Sequence, residues 1–338
     1  MKKVLFIGSF LSKHDGSLSY GESLAKQLNG VGFKCILISN SEIKFIRLFE
    51  IIFSLLVYNG RVVHIDIFSG NAFHIAEIAS RIAHLRRKMI VMTLRGGKLT
   101  EFYECNPAKV NFVLKRADIL QTPSLFLQSY FYMKGYNIKR LPNAVDLLKF
   151  TYERSNVKKH SILWIRAFTE IYNPGLAVSA IYEICKKYPD TTLTMVGPDK
   201  GLLHEVQKKV NDLGIDNSIT FTGPLPNDEL VALYQEHEVY INTTSYESFG
   251  NAMFEAASCG TPIVSSAVGE IPLLWKGGED VLLIEKLDAG DFAKAIIRLF
   301  DNKDLAGHIS KNARTKAEDF GWDKIRLQWV SMLEEAYS

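Results

Sequence analysis

The sequence has few of the features that mark small or specialised proteins. Only four of its 338 residues are cysteines, Cys35, Cys105, Cys185 and Cys259, and no Cys-x-x-Cys pair occurs. This pattern argues against a zinc site and against a disulfide scaffold, and it is typical of a reducing cytosol. Because the chain is too long for one ordinary core, we expect two domains.

A secretory signal peptide is also not expected. Residues 1–10, MKKVLFIGSF, contain two lysines and a short apolar run. Neither a long apolar region nor a small-residue cleavage site follows, so this segment predicts a first strand. No internal repeat or low-complexity segment interrupts the sequence. A cytoplasmic protein is the simplest interpretation.

The small net charge of +3 hides an asymmetry between the two halves of the chain. Residues 1–150 contain 21 Lys and Arg against 10 Asp and Glu, whereas residues 151–338 contain 19 against 27. The first half therefore carries a charge of +11 and the second half −8. A basic first half indicates an anionic partner, such as a membrane surface, a lipid diphosphate or a nucleic acid. We expect no nucleic acid, since no recognisable nucleic-acid module accompanies this charge.

Short apolar runs alternate with helical patterns along the whole chain. This alternation predicts α/β layers with buried parallel strands, and the pattern restarts after Asn143. We therefore expect two doubly wound domains that face each other across a cleft, with ligands at the carboxyl ends of the strands. The predicted strands are residues 4–7, 35–39, 62–67, 89–94 and 119–121, followed by 162–165, 192–196, 219–222, 239–242, 262–265 and 281–284.

The segment 242–272, NTTSYESFGNAMFEAASCGTPIVSSAVGEIP, is the most informative part of the sequence. Glu247 and Glu255 flank a turn, residues 248–251, whose glycine lets a ligand approach the backbone. The helix that follows begins with unpaired N–H groups, which suit a phosphate, whereas ionised carboxylates suit hydroxyl groups. A nucleotide sugar, which has a diphosphate between two polyols, fits both the helix start and the two carboxylates. The alternative is an ordinary strand-turn-helix unit with surface glutamates.

This segment resembles the retaining glycosyltransferases of family 4, which have the GT-B fold. Glu247 and Glu255 match the Glu-x7-Glu motif of that family, and Cys-Gly-Thr-Pro follows at residues 259–262. The resemblance is strong at 239–272 and loose in the first 150 residues. It implies that Glu255 holds the ribose hydroxyls and Glu247 the transferred sugar. The implied donor-binding turn consists of Ser248, Phe249, Gly250 and Asn251, whose amides contact the sugar or the distal phosphate.

The resemblance also implies that the two domains bind different substrates. It predicts a Rossmann-like acceptor-binding domain at 1–148 and a nucleotide-sugar-binding domain at 149–321. A final helix at 322–338 is expected to cross back to the first domain. Pro198 and Leu225, which follow strands of the second domain, are expected to meet the base through their backbone groups.

Arg166 ends the predicted strand 162–165, where a guanidinium can bind diphosphate oxygens in a bidentate way. The family has an arginine here and a lysine a few residues later, and both meet the diphosphate. In this chain the lysine position is Asn173. Either Asn173 hydrogen-bonds to the diphosphate instead or another lysine takes this place. The alternative for Arg166 is a surface salt bridge.

Two positions in the first half have two interpretations each. Gly16 lies where the family has a glycine-rich loop, so it either admits the donor phosphate or belongs to a plain loop. Arg95 and Gly96 follow a buried strand where many relatives have a histidine. Arg95 either meets an acceptor phosphate or sugar hydroxyl or is a structural arginine. His64 is expected to be a core histidine.

Residues 43–58 form an unusual segment in which polar residues recur as one narrow stripe and the remainder is apolar. It is shorter than a membrane-spanning helix. It either contacts a membrane surface, aided by basic residues at 81–88, or is buried against the sheet or in a dimer interface. The basic first half favours an anionic membrane surface, which places the protein on the inner face of the cell membrane.

The sequence thus predicts a retaining hexosyltransferase that moves a sugar from a UDP- or GDP-linked donor to a glycan or lipid-linked acceptor. Surface polysaccharide biosynthesis is the implied pathway. No Asp-x-Asp occurs, so we expect neither a metal nor another cofactor. The alternative is a catalytically degenerate GT-B protein that binds a nucleotide sugar or a partner, since a fold does not fix a function.

Overall fold

The computed structural model of the protein describes residues 1–8, 10, 19–38 and 43–338. Gly16, which was predicted near the donor phosphate, lies outside these residues. The chain packs into two units. The first consists of residues 1–144 together with 323–338, and the second consists of residues 145–322.

The first unit contains a six-stranded sheet in the order β2-β1-β3-β4-β5-β6. All neighbouring strands are parallel, and β3 pairs with β4 from Val62↔Met89 to Ile67↔Leu94. Strand β6 was not predicted, because its three residues, Ile-Lys-Arg, contain no apolar run. The strands are β1 (Lys2–Ile7), β2 (Phe33–Ile38), β3 (Val62–Ile67), β4 (Met89–Leu94), β5 (Ile119–Thr122) and β6 (Ile138–Arg140).

Helices connect these strands. Helix α1 begins with a capping box, in which the side chains of Ser19 and Glu22 satisfy each other's backbone N–H groups. The helices of this unit are α1 (Tyr20–Asn29), α2 (Lys44–Val57), α3 (Phe73–Leu85), α4 (Leu99–Cys105), α5 (Pro107–Leu114), α6 (Leu125–Met133) and the C-terminal helix (Trp322–Tyr337).

Both faces of the first sheet are covered. Val63, Ile65 and Ile67 of β3 belong to one apolar core that also contains residues of α2, α3, α5 and α6. Because side chains alternate along a strand, His64 lies on the opposite face. There the C-terminal helix packs through Trp329, whose ring centroid is 5.8 Å from that of His64.

The second unit contains another parallel six-stranded sheet, in the order β12-β11-β10-β7-β8-β9. The strands are β7 (Lys158–Ile165), β8 (Thr192–Val196), β9 (Ile219–Gly223), β10 (His237–Asn242), β11 (Ile263–Ser266) and β12 (Leu282–Ile284). The helices are α7 (Pro174–Cys185), α8 (Leu203–Leu213), α9 (Asn227–Glu236), α10 (Asn251–Ser258), α11 (Ile271–Leu274), α12 (Ala289–Asp301) and α13 (Lys303–Glu318).

This sheet is also buried on both faces. Ile162 and Trp164 of β7 belong to one core with residues of α7, α8 and α12, whereas Leu163 belongs to a second core with residues of α10 and α13. The continuous apolar runs of the sequence follow from this double burial. Since all strands are parallel, their carboxyl ends lie at one edge of the sheet.

Candidate functional site

The carboxyl edge of the second sheet brings together most of the predicted donor-site residues. Arg166 follows β7, and its backbone N–H donates to the Val196 carbonyl at 3.0 Å. Gly197 lies so close that a Cβ there would overlap the Arg166 carbonyl oxygen, and its φ is +147°. A glycine is therefore required for this approach. Pro198 follows at the same edge, and Leu225 lies just after β9.

The two predicted catalytic residues bind each other. Arg166 Nη2 donates to Glu247 Oε2 at 2.8 Å, and the two side chains are only 11% and 15% exposed. Glu247 Oε1 also accepts from the Ser248 backbone N–H at 3.1 Å. The carboxylate is thus held by a cation on one side and a backbone donor on the other. This arrangement fixes its orientation at the sheet edge.

The turn between the two glutamates leads into helix α10. Gly250 has φ +87° and caps the helix, a conformation that favours glycine. Having no side chain, Gly250 offers no oxygen to the N–H groups of the first turn, which begins at Asn251. Phe249 is buried and stacks on Phe254 at a centroid distance of 4.7 Å. The turn therefore presents backbone donors on a rigid apolar base, which suits an anion.

Glu255 lies on α10, beneath this turn. Its Oε2 accepts a hydrogen bond from the Tyr234 hydroxyl at 3.0 Å. Burial raises the pKa of Glu255 to about 7, although the hydrogen bond from Tyr234 and the charge of Arg166 act in the opposite direction. Near neutral pH a ligand whose hydroxyl groups donate hydrogen bonds to this carboxyl group would therefore stabilise its ionised form.

The backbone of Gly269 packs directly against the backbone of Glu247. A Cβ at Gly269 would overlap the Glu247 carbonyl oxygen, and φ is +58°. The next residue, Glu270, donates its backbone N–H to the same carbonyl at 3.0 Å. In the sequence, Gly269 and Glu270 stand where a pair of glycines is common in the family that the chain resembles, near the expected sugar pocket. The structure gives Gly269 a defined role, which is to let the backbone that carries Glu247 pass.

The segment that carries Asn173 is fastened to the residues after β10. The Thr243 hydroxyl donates to the Tyr172 carbonyl at 2.9 Å, and the Ser245 backbone N–H donates to the Ile171 carbonyl at 2.7 Å. Asn173 has φ +48° and caps α7. The side chain that meets Arg166 here is Tyr172, whose ring centroid lies 5.3 Å from the guanidinium carbon.

Two lysines lie near the positions where the missing cation was expected. The Lys209 amine lies beside Gly175, within the first turn of α7. Lys149 is close enough to Glu255 to lower the pKa of that carboxyl group, and it pairs with Asp228 at 2.5 Å. Lys209 thus lies near the segment that carries Asn173, whereas Lys149 lies near Glu255.

Arg95 and Gly96 lie in the first unit, at the carboxyl end of β4. Arg95 Nε donates to Asp66 Oδ1 at 2.6 Å and Nη1 to Asn143 Oδ1 at 3.3 Å. The guanidinium also lies over the Tyr20 ring, 5.1 Å from its centroid. The other terminal nitrogen, Nη2, is buried and has no hydrogen-bond partner within the described part of the chain. Asp66, Asn143 and the Tyr20 ring thus hold the Arg95 guanidinium in place.

His64 is a core histidine, as the sequence indicated. Its Nε2 lies 2.6 Å from Thr93 Oγ1, and its ring contacts Phe6. Burial lowers the pKa of His64 to about 4, so the ring is neutral at physiological pH. A proton-transfer role for this residue is not indicated.

The sequence did not indicate that Tyr172 or Tyr234 belongs to this site. Tyr234 precedes β10 and carries no local motif, so only the packing of α9 against α10 brings it to Glu255. The sequence does not show that position 269 requires a glycine. The requirement comes from the close approach of the Glu247 backbone, which is distant in the chain.

The described residues contain neither a cluster of metal ligands nor a membrane-spanning helix. No group of three or more His, Cys, Asp or Glu side chains gathers in a way that would hold a metal ion. No helix in the described ranges combines the length and apolar character that a bilayer span requires.

Solved structures place this architecture among known folds. The sucrose-phosphate synthase of Thermosynechococcus elongatus superimposes with a TM-score of 0.83 at 18% identity, over 100% of this chain and 99% of that one. HepE of Anabaena, solved with UDP-glucose, gives a TM-score of 0.78 at 15% identity, over 99% and 100% of the two chains. The two α/β units therefore define the GT-B fold.

Sequence comparison then identifies the family. Residues 149–316 match the model of the glycosyl transferases group 1 family. A D-inositol 3-phosphate glycosyltransferase of Corynebacterium jeikeium is 30% identical over 226 residues, which cover 60% of this chain and 54% of that protein. A second, from Corynebacterium kroppenstedtii, is 26% identical over 257 residues and 53% of its length. Residues 149–316 belong to the group 1 family, and the chain spans about half the length of these curated relatives.

Proposed function

We propose that this protein is a retaining glycosyltransferase that transfers a hexosyl unit from a UDP- or GDP-linked donor to a glycan or lipid-linked acceptor. The observation that carries the proposal is the placement of Arg166, Glu247 and Glu255 around the start of one helix at one sheet edge. Membership of the group 1 family supports it. The resemblance to family 4 of the retaining enzymes extends it to stereochemistry.

The donor would be held by groups of opposite character. Glu255 and Glu247 accept hydrogen bonds from hydroxyl groups, which suits the ribose and the transferred sugar. The backbone donors at Gly250 and Asn251, together with Arg166, suit the diphosphate between them. Because HepE was solved with UDP-glucose, a uridine diphosphate sugar is the first donor to test.

The proposed transfer requires no side chain as general base. The acceptor hydroxyl attacks the anomeric carbon from the side on which the diphosphate leaves, and its proton passes to the departing diphosphate oxygen. Arg166 and the amides of the α10 start stabilise the negative charge that develops there. In this scheme the fixed positive charge of Arg166 supplies the stabilisation, so no metal or other cofactor takes part.

The acceptor would meet the first unit at Arg95 and Gly96. The Nη2 donor of Arg95, which has no partner among the described residues, suits a phosphate or a sugar hydroxyl, although Asp66 already balances the charge of Arg95. The curated relatives are named for D-inositol 3-phosphate, a polyol that carries a phosphate. We place the reaction in surface polysaccharide assembly on the cytoplasmic side of the membrane.

A binding protein without transferase activity is the second candidate. It is favoured by the pairing of Arg166 with Glu247, which neutralises the expected diphosphate cation, and by Asn173 in the lysine position. Incubation with UDP- and GDP-hexoses and a panel of glycan, polyprenyl-phosphate and inositol-phosphate acceptors separates the two. Release of nucleotide with an α-linked product from an α-linked donor supports transfer with retention. Tight donor binding without product supports the binding protein.

A further inference from the structure

The outward face of α2 is apolar. Phe45, Phe49 and Phe53 are 86%, 69% and 56% exposed, and the rings of Phe49 and Phe53 stack at 6.3 Å. Scattered apolar residues are normal on a surface, but a continuous patch marks an interaction site. The α2 outer face consists of Ile43, Phe45, Ile46, Phe49, Phe53, Leu56 and Val57, all of them exposed.

The polar stripe of this helix faces the protein instead. Glu50 and Ser54 are half-buried, and Tyr58, at the helix end, is buried. The Tyr58 hydroxyl reaches the carbonyl oxygens of Lys3 at 2.5 Å and Val62 at 2.9 Å. An ordinary surface helix has the opposite orientation, with its polar side outward. Ile51 and Leu55 pack into the core of the first unit, so the helix is buried against the sheet on its inner side and exposed on its outer face.

Cations lie along one border of this face. The Arg86 guanidinium donates to the carbonyl oxygens of Leu56 and Tyr58, which places the end of α3 beside the end of α2. Leu85, 81% exposed, extends the apolar surface at this point. Arg87 is also exposed, whereas Arg81 pairs with Glu77 at 2.9 Å and lies over the Phe112 ring of α5. The cationic border therefore consists of Arg86, Arg87 and Lys88.

We propose that the α2 outer face docks on an anionic lipid bilayer. The phenylalanines enter the boundary between headgroups and acyl chains, and the cationic border meets lipid phosphates. With 14 residues, α2 is too short to cross the bilayer, so it lies in the plane of the interface.

Charge complementarity with the cationic border selects this occupant. An anionic bilayer complements both the apolar face and its border. The inference concerns a surface of the first unit and holds whether or not the second unit transfers a sugar.

Vesicle flotation tests it with the full-length protein. We expect wild type to float with vesicles that contain phosphatidylglycerol and to bind pure phosphatidylcholine at least tenfold more weakly, with binding reduced by high salt. Phe49→Ser/Phe53→Ser should lose at least tenfold in binding to the anionic vesicles. Both side chains are largely exposed, so the substitution leaves the core untouched.

Leu327→Ser is the matched control, because Leu327 is an exposed apolar residue of the C-terminal helix. It should float like wild type. Equal flotation of wild type and Phe49→Ser/Phe53→Ser, or no flotation of wild type, would overturn the proposal. So would sedimentation that shows a wild-type dimer which the double variant dissociates, because the occupant would then be a second copy.

Discussion

The backbone of Gly269 supports the backbone of Glu247 so closely that no side chain fits between them. Gly269→Ala should therefore displace Glu247 and break its 2.8 Å contact with Arg166. We expect donor affinity or turnover to fall at least tenfold, because shifts of about 1 Å at a reacting centre cost about 100-fold in rate. Calorimetry with the donor and steady-state kinetics measure the two effects.

Gly278→Ala separates displacement from simple backbone strain. Gly278 also has positive φ, +81°, but a Cβ there would meet nothing within 4 Å. The strained φ should cost both variants a similar amount of stability, and the clash with the Glu247 backbone should add to the loss in Gly269→Ala alone. Only Gly269→Ala should lose activity, and equal activity of the two variants would show that Glu247 does not depend on this contact.

The strands and the Glu247–Glu255 motif could be predicted because their signals are local. A buried parallel strand is a continuous apolar run, and β3 and β4 begin and end where the sequence placed them. Strand β6 has too few apolar residues to show such a run. Its place in the sheet depends on its pairing with β5, which a single stretch of sequence does not reveal.

Donor affinity should depend on pH through Glu255. The pKa of Glu255 is raised to about 7 by burial, and ligand hydroxyls favour its ionised form. Affinity should therefore increase about tenfold between pH 6 and pH 8, as the ionised fraction rises. Glu255→Gln should bind more weakly at pH 8 and show a flat profile. Calorimetric titrations at both pH values, corrected for titration of the donor, measure this.

Tyr234→Phe should move that profile. The Tyr234 hydroxyl donates to Glu255 and lowers the pKa of its carboxyl group. Without this bond the pKa should rise further, so the midpoint of the affinity profile should shift to higher pH. An unchanged midpoint in a folded variant would mean that another residue controls the titration.

Arg166→Ala should lower kcat by about 100- to 1,000-fold, because it removes a fixed positive charge from the developing diphosphate. It also leaves the Glu247 carboxylate without its cation partner. Arg166→Lys keeps the charge but loses the planar fork, so we expect partial activity. Single-turnover assays measure the rate, and urea denaturation verifies the fold. Full activity of a folded Arg166→Ala protein would contradict the proposed role.

The stability of the first unit should fall at acid pH through His64. Burial lowers the pKa of His64 to about 4, below its usual value of 6.5, so the unfolded chain binds a proton first. The contribution of neutral His64 to the free energy of unfolding is complete above pH 6.5. It is lost as pH falls toward 4, by up to about 3 kcal/mol. His64→Gln should lack this dependence, as measured by urea midpoints of the two proteins at pH 5 and pH 7.

The roles of Tyr234 and Gly269 could not be read from the sequence for a physical reason. Each acts on a glutamate through contacts between separate elements, and neither has an unusual neighbourhood in the chain. Arg166 was predicted because it ends a strand, but its pairing with Glu247 depends on the order of β7 and β10 in the sheet. Local motifs were therefore enough to predict Arg166 and Glu247, but their contact with each other depends on the topology of the sheet.

Trp329 and its helix have a consequence for synthesis of the protein. The ribosome completes every strand of the first sheet long before residues 323–338 emerge. Until then the His64 ring lacks its contact with Trp329 on that face. The second unit can form as soon as its own residues emerge, because domains fold as units. The first unit is therefore completed after the second, although all its strands are translated before those of the second.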